Sequence, residues 1–296
     1  MKASRIYLSL AAMGVGALLG QSASASLVGG TLLSDNFDGY ADQAAFQAVW
    51  PAIASGSPNS CVLSTAQSVS SPNGVQVPGT ATSNQYRNRR SFSESGTIGI
   101  GDQIVWGYDF YDANPTGAPA RNYCNLQDST APVATNQLIA MGMNNNESAT
   151  DSGGQFYMAR ILGYSPPTVD PDGGPNETGT LGAGAFFKLN DYAAGARALG
   201  WHNFKVIITT DDALSTDFQF FVDNTLAETV NNVGTAATIR SYDNIALGSG
   251  VSNASVEADF DNQLLQLVSA PEPSSFVMLG LSAGLLLRRG RRRNNA

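Results

Sequence analysis

Between positions 26 and 270 the chain falls into short runs in which apolar residues alternate with polar ones, separated by clusters of Asn, Asp, Gly, Ser and Pro. Side chains of a strand point to opposite faces in turn, so this period of two predicts half-buried strands. The clearest run is 103–111, which puts Ile104, Trp106, Tyr108 and Phe110 on one face. Further strands are predicted at 31–38, 61–65, 74–77, 85–92, 122–127, 137–143, 155–162, 183–189, 201–209, 217–223, 242–248 and 255–268. In 85–92 the alternation puts Arg87 and Arg89 on one face and Arg90 on the other. One short helix is predicted at 42–50, with Asp42 as its N-cap and Pro51 as its stop. A proline- and glycine-rich loop is predicted at 165–180. Many short strands punctuated by turn residues predict an all-β jelly-roll sandwich of two antiparallel sheets in one domain, 26–270.

Both ends depart from this pattern. Residues 1–25 pair a basic start, Lys2 and Arg5, with an apolar stretch and the small-residue site Ala23-Ser24-Ala25. That is the form of a signal peptide cut by signal peptidase, leaving Ser26 first. At the other end, 271–296, Pro271-Glu272-Pro273 breaks the chain before twelve apolar or small residues, 276–287, and then Arg288, Arg289, Arg291, Arg292 and Arg293. As a helix those residues reach about 18 Å, against about 30 Å of hydrocarbon, which suits a temporary stop in the inner membrane better than a permanent span. The order of proline-bracketed glutamate, short apolar helix and arginine cluster resembles the PEP-CTERM sorting signal. That resemblance implies export, transient membrane association, processing by an exosortase-type enzyme, and a final place in the cell envelope, outer surface or extracellular matrix.

Setting both signals aside leaves 9 basic residues against 23 acidic ones, a net charge of −14. Such a body carries no electrostatic footprint of a nucleic-acid binder and favours cations and neutral sugars. The two cysteines, Cys61 and Cys124, read in an exported chain as one disulfide, worth about 4 kcal/mol by chain entropy, with two buried thiols as the alternative.

The opening DNFD, the WHNFKV strand at 201–206, the F-x-V-D-N strand and turn at 220–224 and the closing DFDN at 259–262 together resemble the concanavalin A-like lectin/glucanase superfamily, including laminin G-type domains. The resemblance implies a jelly roll that serves sugar binding, adhesion or, in some branches, glycoside hydrolysis.

Within that frame the catalytic signals are thin. His202 is the only histidine and shares a strand face with Phe204, Val206 and Ile208, which reads as packing, so no catalytic residue is assigned. Glu257, Asp259 and Asp261 share one strand face and approximate the carboxylate strand of the glucanases, with aspartate where the second glutamate would stand. Calcium is a better match to these acids, with Asp35 or Asp38 of the first strand brought beside Asp259 or Asp261 of the last. The Asp170–Gly173 loop offers a weaker calcium candidate. Trp106, Tyr108, Tyr111, Tyr123 and Tyr157 are candidates for a sugar platform. The reading is therefore an exported, non-enzymatic envelope or matrix protein that binds polysaccharide. A glucanase-type glycoside hydrolase and a purely structural matrix protein stand as alternatives.

Overall fold

A computed structural model describes residues 29–53, 58–79, 85–92, 99–113, 122–128, 137–143, 156–162, 185–189, 196–210, 215–233, 242–248 and 257–269. Residues 1–25 and 271–296, read above as signal and sorting segments, and the predicted 165–180 loop lie outside them. In chain order the elements are β1 (Gly30–Asp35), α1 (Gln43–Val49), β2 (Pro58–Asn59), β3 (Val62–Ser64), β4 (Gly74–Val77), β5 (Gln85–Ser91), β6 (Gln103–Asp112), β7 (Asn122–Gln127) and β8 (Leu138–Met143). They continue with β9 (Tyr157–Leu162), β10 (Ala185–Leu189), β11 (Gly200–Thr210), β12 (Ser215–Val222), β13 (Thr225–Val233), β14 (Asn244–Gly248) and β15 (Ala258–Val268).

The strands form the expected two-sheet sandwich. One sheet has eight strands in the order β13-β12-β11-β6-β15-β4-β3, with β1 also paired to β15; the other has seven, β10-β9-β8-β7-β14-β5-β2. Pairing is antiparallel except for the two-residue β2–β5 contact. Along β6 burial alternates without a break, and the inward set Ile104, Trp106, Tyr108 and Phe110 is the one its pattern predicts. The Tyr108 and Phe110 rings meet Phe204 of β11 and Phe260 of β15, with centroids 5.4–6.1 Å apart, so aromatic contacts knit the middle of the eight-stranded sheet. The helix begins where expected, because the Asp42 carboxylate accepts from the Ala45 N–H at 2.8 Å and so satisfies a free donor of the first turn.

Strand β13 escapes the sequence pattern. A bulge opposite Phe220/Phe221 breaks its alternation, and it turns the polar Glu228 into the buried side. The cysteines also depart from expectation: Cys61 and Cys124 are free and buried. Both are core residues, and Gln263 donates to the Cys124 sulfur at 3.3 Å. They pack as small hydrophobes, and burial pushes both thiols far above their ordinary range, which leaves them inert. Reductant is therefore expected to leave the melting temperature unchanged, with both thiols alkylated only after denaturation; a reductant-sensitive transition would show that the bond forms.

Candidate functional site

Burial sorts the sites that the sequence nominated. Trp106, Tyr108 and Tyr157 are fully buried and belong to the core, so they offer no sugar platform. Tyr111 and Tyr123 stay on the surface, but on different sheets. His202 faces inward beside Phe204. Its Nδ1 meets Asp223 Oδ2 at 2.8 Å, its Nε2 meets the Ala198 carbonyl at 2.9 Å, and its ring lies 5.3 Å from that of Tyr157. A histidine held by two acceptors and a ring is a packing residue.

The first and last strands do adjoin, with Asp35 opposite Gln263, yet the four proposed calcium ligands do not converge. The Asp35 carboxylate accepts from the Phe37 N–H at 2.9 Å, the Tyr40 hydroxyl at 2.5 Å and the Trp50 indole at 2.9 Å, and it pairs with Arg90. It ties β1 to the end of α1 and to β5. Asp38 accepts from the Asn73 N–H at 2.9 Å and the Asn36 amide at 2.7 Å. Asp261 accepts from the backbone N–H groups of Val69 at 2.8 Å, Ser70 at 2.9 Å and Asn262 at 2.7 Å. Nitrogen donors thus occupy oxygens that a cation would need, and no group of three His, Cys, Asp or Glu able to hold a metal forms among the described residues. The same capping removes Asp261 from the glucanase-like strand, although Glu257, Asp259 and Asp261 do share the outer face while Ala258 and Phe260 are buried behind them.

The outer face of the seven-stranded sheet carries the more coherent site. The strand registers line up two rows that run across the strands. The first is Arg87, Gly248, Tyr123, Gly142, Met158 and Lys188; the second is Arg89, Ala246, Asn125, Ala140 and Arg160. Their neighbours along the strands, Asn88, Leu247, Cys124, Met141 and Ala159, face the core, which fixes these rows outward. Cations stand at both ends of the rows, and Tyr123 and Asn125 stand between them.

Small residues fill the middle of the rows, where Ala246, Asn125, Ala140 and Met158 are 0–5% exposed. Gly142 (φ 139°) and Gly248 (φ 110°) have backbones that side chains rarely adopt, and a Cβ there would lie 2.4 Å from the Asn122 carbonyl oxygen and 2.1 Å from that of Tyr86. Glycine is thus required on both strands that flank Tyr123, so its ring stands with no side chain opposite it. A depression beside it is lined by Tyr123, Gly142, Met143, Met158 and Arg160.

Among the described residues neither Arg87 nor Arg89 forms an ion pair, whereas Arg90, one position on and pointing inward, has Asp35. Burial pulls the Arg87 guanidinium below its ordinary range; the nearby Tyr123 phenol opposes that shift and the like charge of Arg89 adds to it. Arg89 Nε and Asn125 Oδ1 are buried without a hydrogen-bond partner. Desolvated polar groups left unpaired cost about 1–3 kcal/mol each. This pairing of arginines was visible in the sequence as alternation, but the net negative charge argued against an anion site.

No family model matches the chain, and no curated protein sequence matches it either. Among solved structures it is similar to the conserved carbohydrate esterase of Shiga toxin-encoding bacteriophage phi24B, at TM-score 0.50 and 12% identity, over 80% of this chain and 98% of that one. It is also similar to an endo-β-1,4-glucuronan lyase from the fungus Trichoderma reesei, at TM-score 0.49 and 13% identity, over 80% and 95%. A third is the cellulose induced protein Cip1, at TM-score 0.46 and 17% identity, over 80% and 97%. At such identities the likeness to the esterase speaks for the sandwich fold alone.

Proposed function

We propose that this is an exported surface or matrix protein that binds an acidic polysaccharide, without cleaving it, across the outer face of its seven-stranded sheet. The observation that carries this reading is the pair Arg87 and Arg89: two half-buried guanidinium groups, side by side, without a carboxylate partner. Guanidinium groups recognise carboxylate and sulfate in a planar, two-pronged geometry, and the Tyr123 ring offers a face for pyranose C–H groups. Five strand spacings of about 4.8 Å separate Arg87 from Lys188, so the row extends about 24 Å and accommodates a chain rather than a single sugar. The fold shared with a carbohydrate esterase is compatible with this reading and does not carry it. Export rests on the two terminal signals.

The test is a retention panel of acidic and neutral polysaccharides at several ionic strengths, with released sugar measured in parallel. Acidic polymers are expected to be retained at low salt, and Arg87→Gln/Arg89→Gln to weaken them about tenfold or more while the protein remains folded. Retention of neutral polymers only, or retention unchanged in the double variant, would overturn the site. Released reducing or unsaturated sugar would overturn the non-enzymatic reading, and no retention on any polymer would favour the structural one.

A further inference from the structure

The other outer face carries an independent anomaly. On the eight-stranded sheet the registers align Gln76 of β4, Asp259 of β15, Tyr111 of β6 and Trp201 of β11 in one row. The Tyr111 and Trp201 rings lie 5.4 Å apart, centroid to centroid. Asp259 points to this face because Ala258 and Phe260 on either side of it belong to the core. Its relative exposure is 0%, and neither of its carboxylate oxygens has a hydrogen-bond partner. Every other carboxylate near it is engaged. Glu257, exposed at the edge of the row, accepts from the Gln76 amide at 3.0 Å. Asp109 accepts from Asn203 and Asn262, each at 2.8 Å. Asp261 is held by the backbone N–H groups of Val69 and Ser70. Asp259 alone faces the cost of burying a charge with nothing to offset it.

We infer that Asp259, with the Tyr111–Trp201 pair beside it, forms a site for a protonated amine, entered from the Gln76–Glu257 edge. A positive group is the partner that a buried, unpaired carboxylate surrounded by other acids requires. Calcium suits the row poorly. It takes six to eight oxygens, while the oxygens of Asp109 and Asp261 already face N–H donors and two of the row's members are rings. An ammonium group needs fewer oxygens and gains from aromatic faces, which attract organic cations through the ring quadrupole. An amino sugar and a lysine side chain share this chemistry.

The experiment is a thermal-shift titration of the wild-type chain and Asp259→Asn at pH 7, where both amines are largely charged. The probes are D-glucosamine, lysine amide, D-glucose as the neutral isostere, and calcium chloride at matched ionic strength. At least one amine is expected to raise the melting temperature by about 2 °C or more, glucose to leave it unchanged, and Asp259→Asn, folded by circular dichroism, to lose the shift. A response to glucosamine alone assigns the site to an amino sugar, and one to lysine amide alone to a peptide side chain. No shift with either amine, an equal shift in Asp259→Asn, or a shift with calcium only would overturn the inference. Because Arg87 and Arg89 lie on the opposite sheet, their double variant should keep the amine response, which separates this site from the polysaccharide face.

Discussion

Arg197→Met is expected to lower the unfolding free energy by about 3–5 kcal/mol, read as a shift of the denaturant midpoint at unchanged slope. Arg197 lies just before β11. Its Nε donates to Asp112 Oδ2 at 2.8 Å and its Nη2 to Oδ1 at 3.0 Å, and the two side chains are 1% and 0% exposed. The Tyr157 hydroxyl, from the opposite sheet, lies 3.2 Å from both the same Asp112 oxygen and the Ala198 carbonyl, so its one proton is shared between these two acceptors. The network therefore clamps the two sheets together at one end of the sandwich. Methionine keeps most of the volume but withdraws both charged donors, which leaves the buried carboxylate without its cation. Replacing both partners, as in Asp112→Leu/Arg197→Met, should cost clearly less than Arg197→Met, because no buried charge remains. A double variant as damaging as the single one would show that packing rather than charge pairing holds that end.

Asp259→Asn is expected to do the opposite and stabilise the protein, but only above acidic pH. Burial first, and then the negative charge of Glu257, raises the Asp259 carboxyl from 3.8 to about 7. A raised carboxyl means that the folded state holds its proton more tightly than the unfolded one. The penalty is absent below about pH 4, grows as pH rises from about 4 to about 7, and is constant above. Asparagine removes it, so the variant should gain about 2–4 kcal/mol at pH 8 and match the wild type near pH 4. Chemical denaturation at the two pH values checks this. Equal gains at both would point to a steric cause, and a loss at pH 8 would show that the ionised carboxylate already has a partner in the free protein.

Much of the fold could be read from the residues. The run of β6 named its buried rings because the pleat alternates side chains at each peptide, a property fixed within five or six residues. The same rule separated Arg87 and Arg89 from Arg90, and put Glu257, Asp259 and Asp261 together. Helix α1 was legible because Asp42 caps it from three residues away. What failed depended on distant neighbours. Asp35 looked like a cation ligand until Trp50, Tyr40 and Arg90 met it. Asp261 looked the same until the 69–70 backbone reached it. Five aromatic residues resembled one platform until strand order put three in the core and one on each outer face.

The charge reading shows where the division falls. Composition sums a chain, and a sum of −14 argued against anions. Folding sorts that charge: β5, β9 and β10 place Arg87, Arg89, Arg160 and Lys188 on one face, and β6 and β15 place Asp109, Asp259 and Asp261 on the other. The sequence by itself determined which residues share a strand face, where the helix starts, and that a two-sheet sandwich would form, because backbone geometry and local capping act over a few residues. Only the tertiary structure decided which strands lie side by side, which carboxylates find donors, that both cysteines are free, and that Asp259 is left alone. Those outcomes depend on registers between segments far apart in the chain, and the pairing that sets them is a property of the whole packed sandwich.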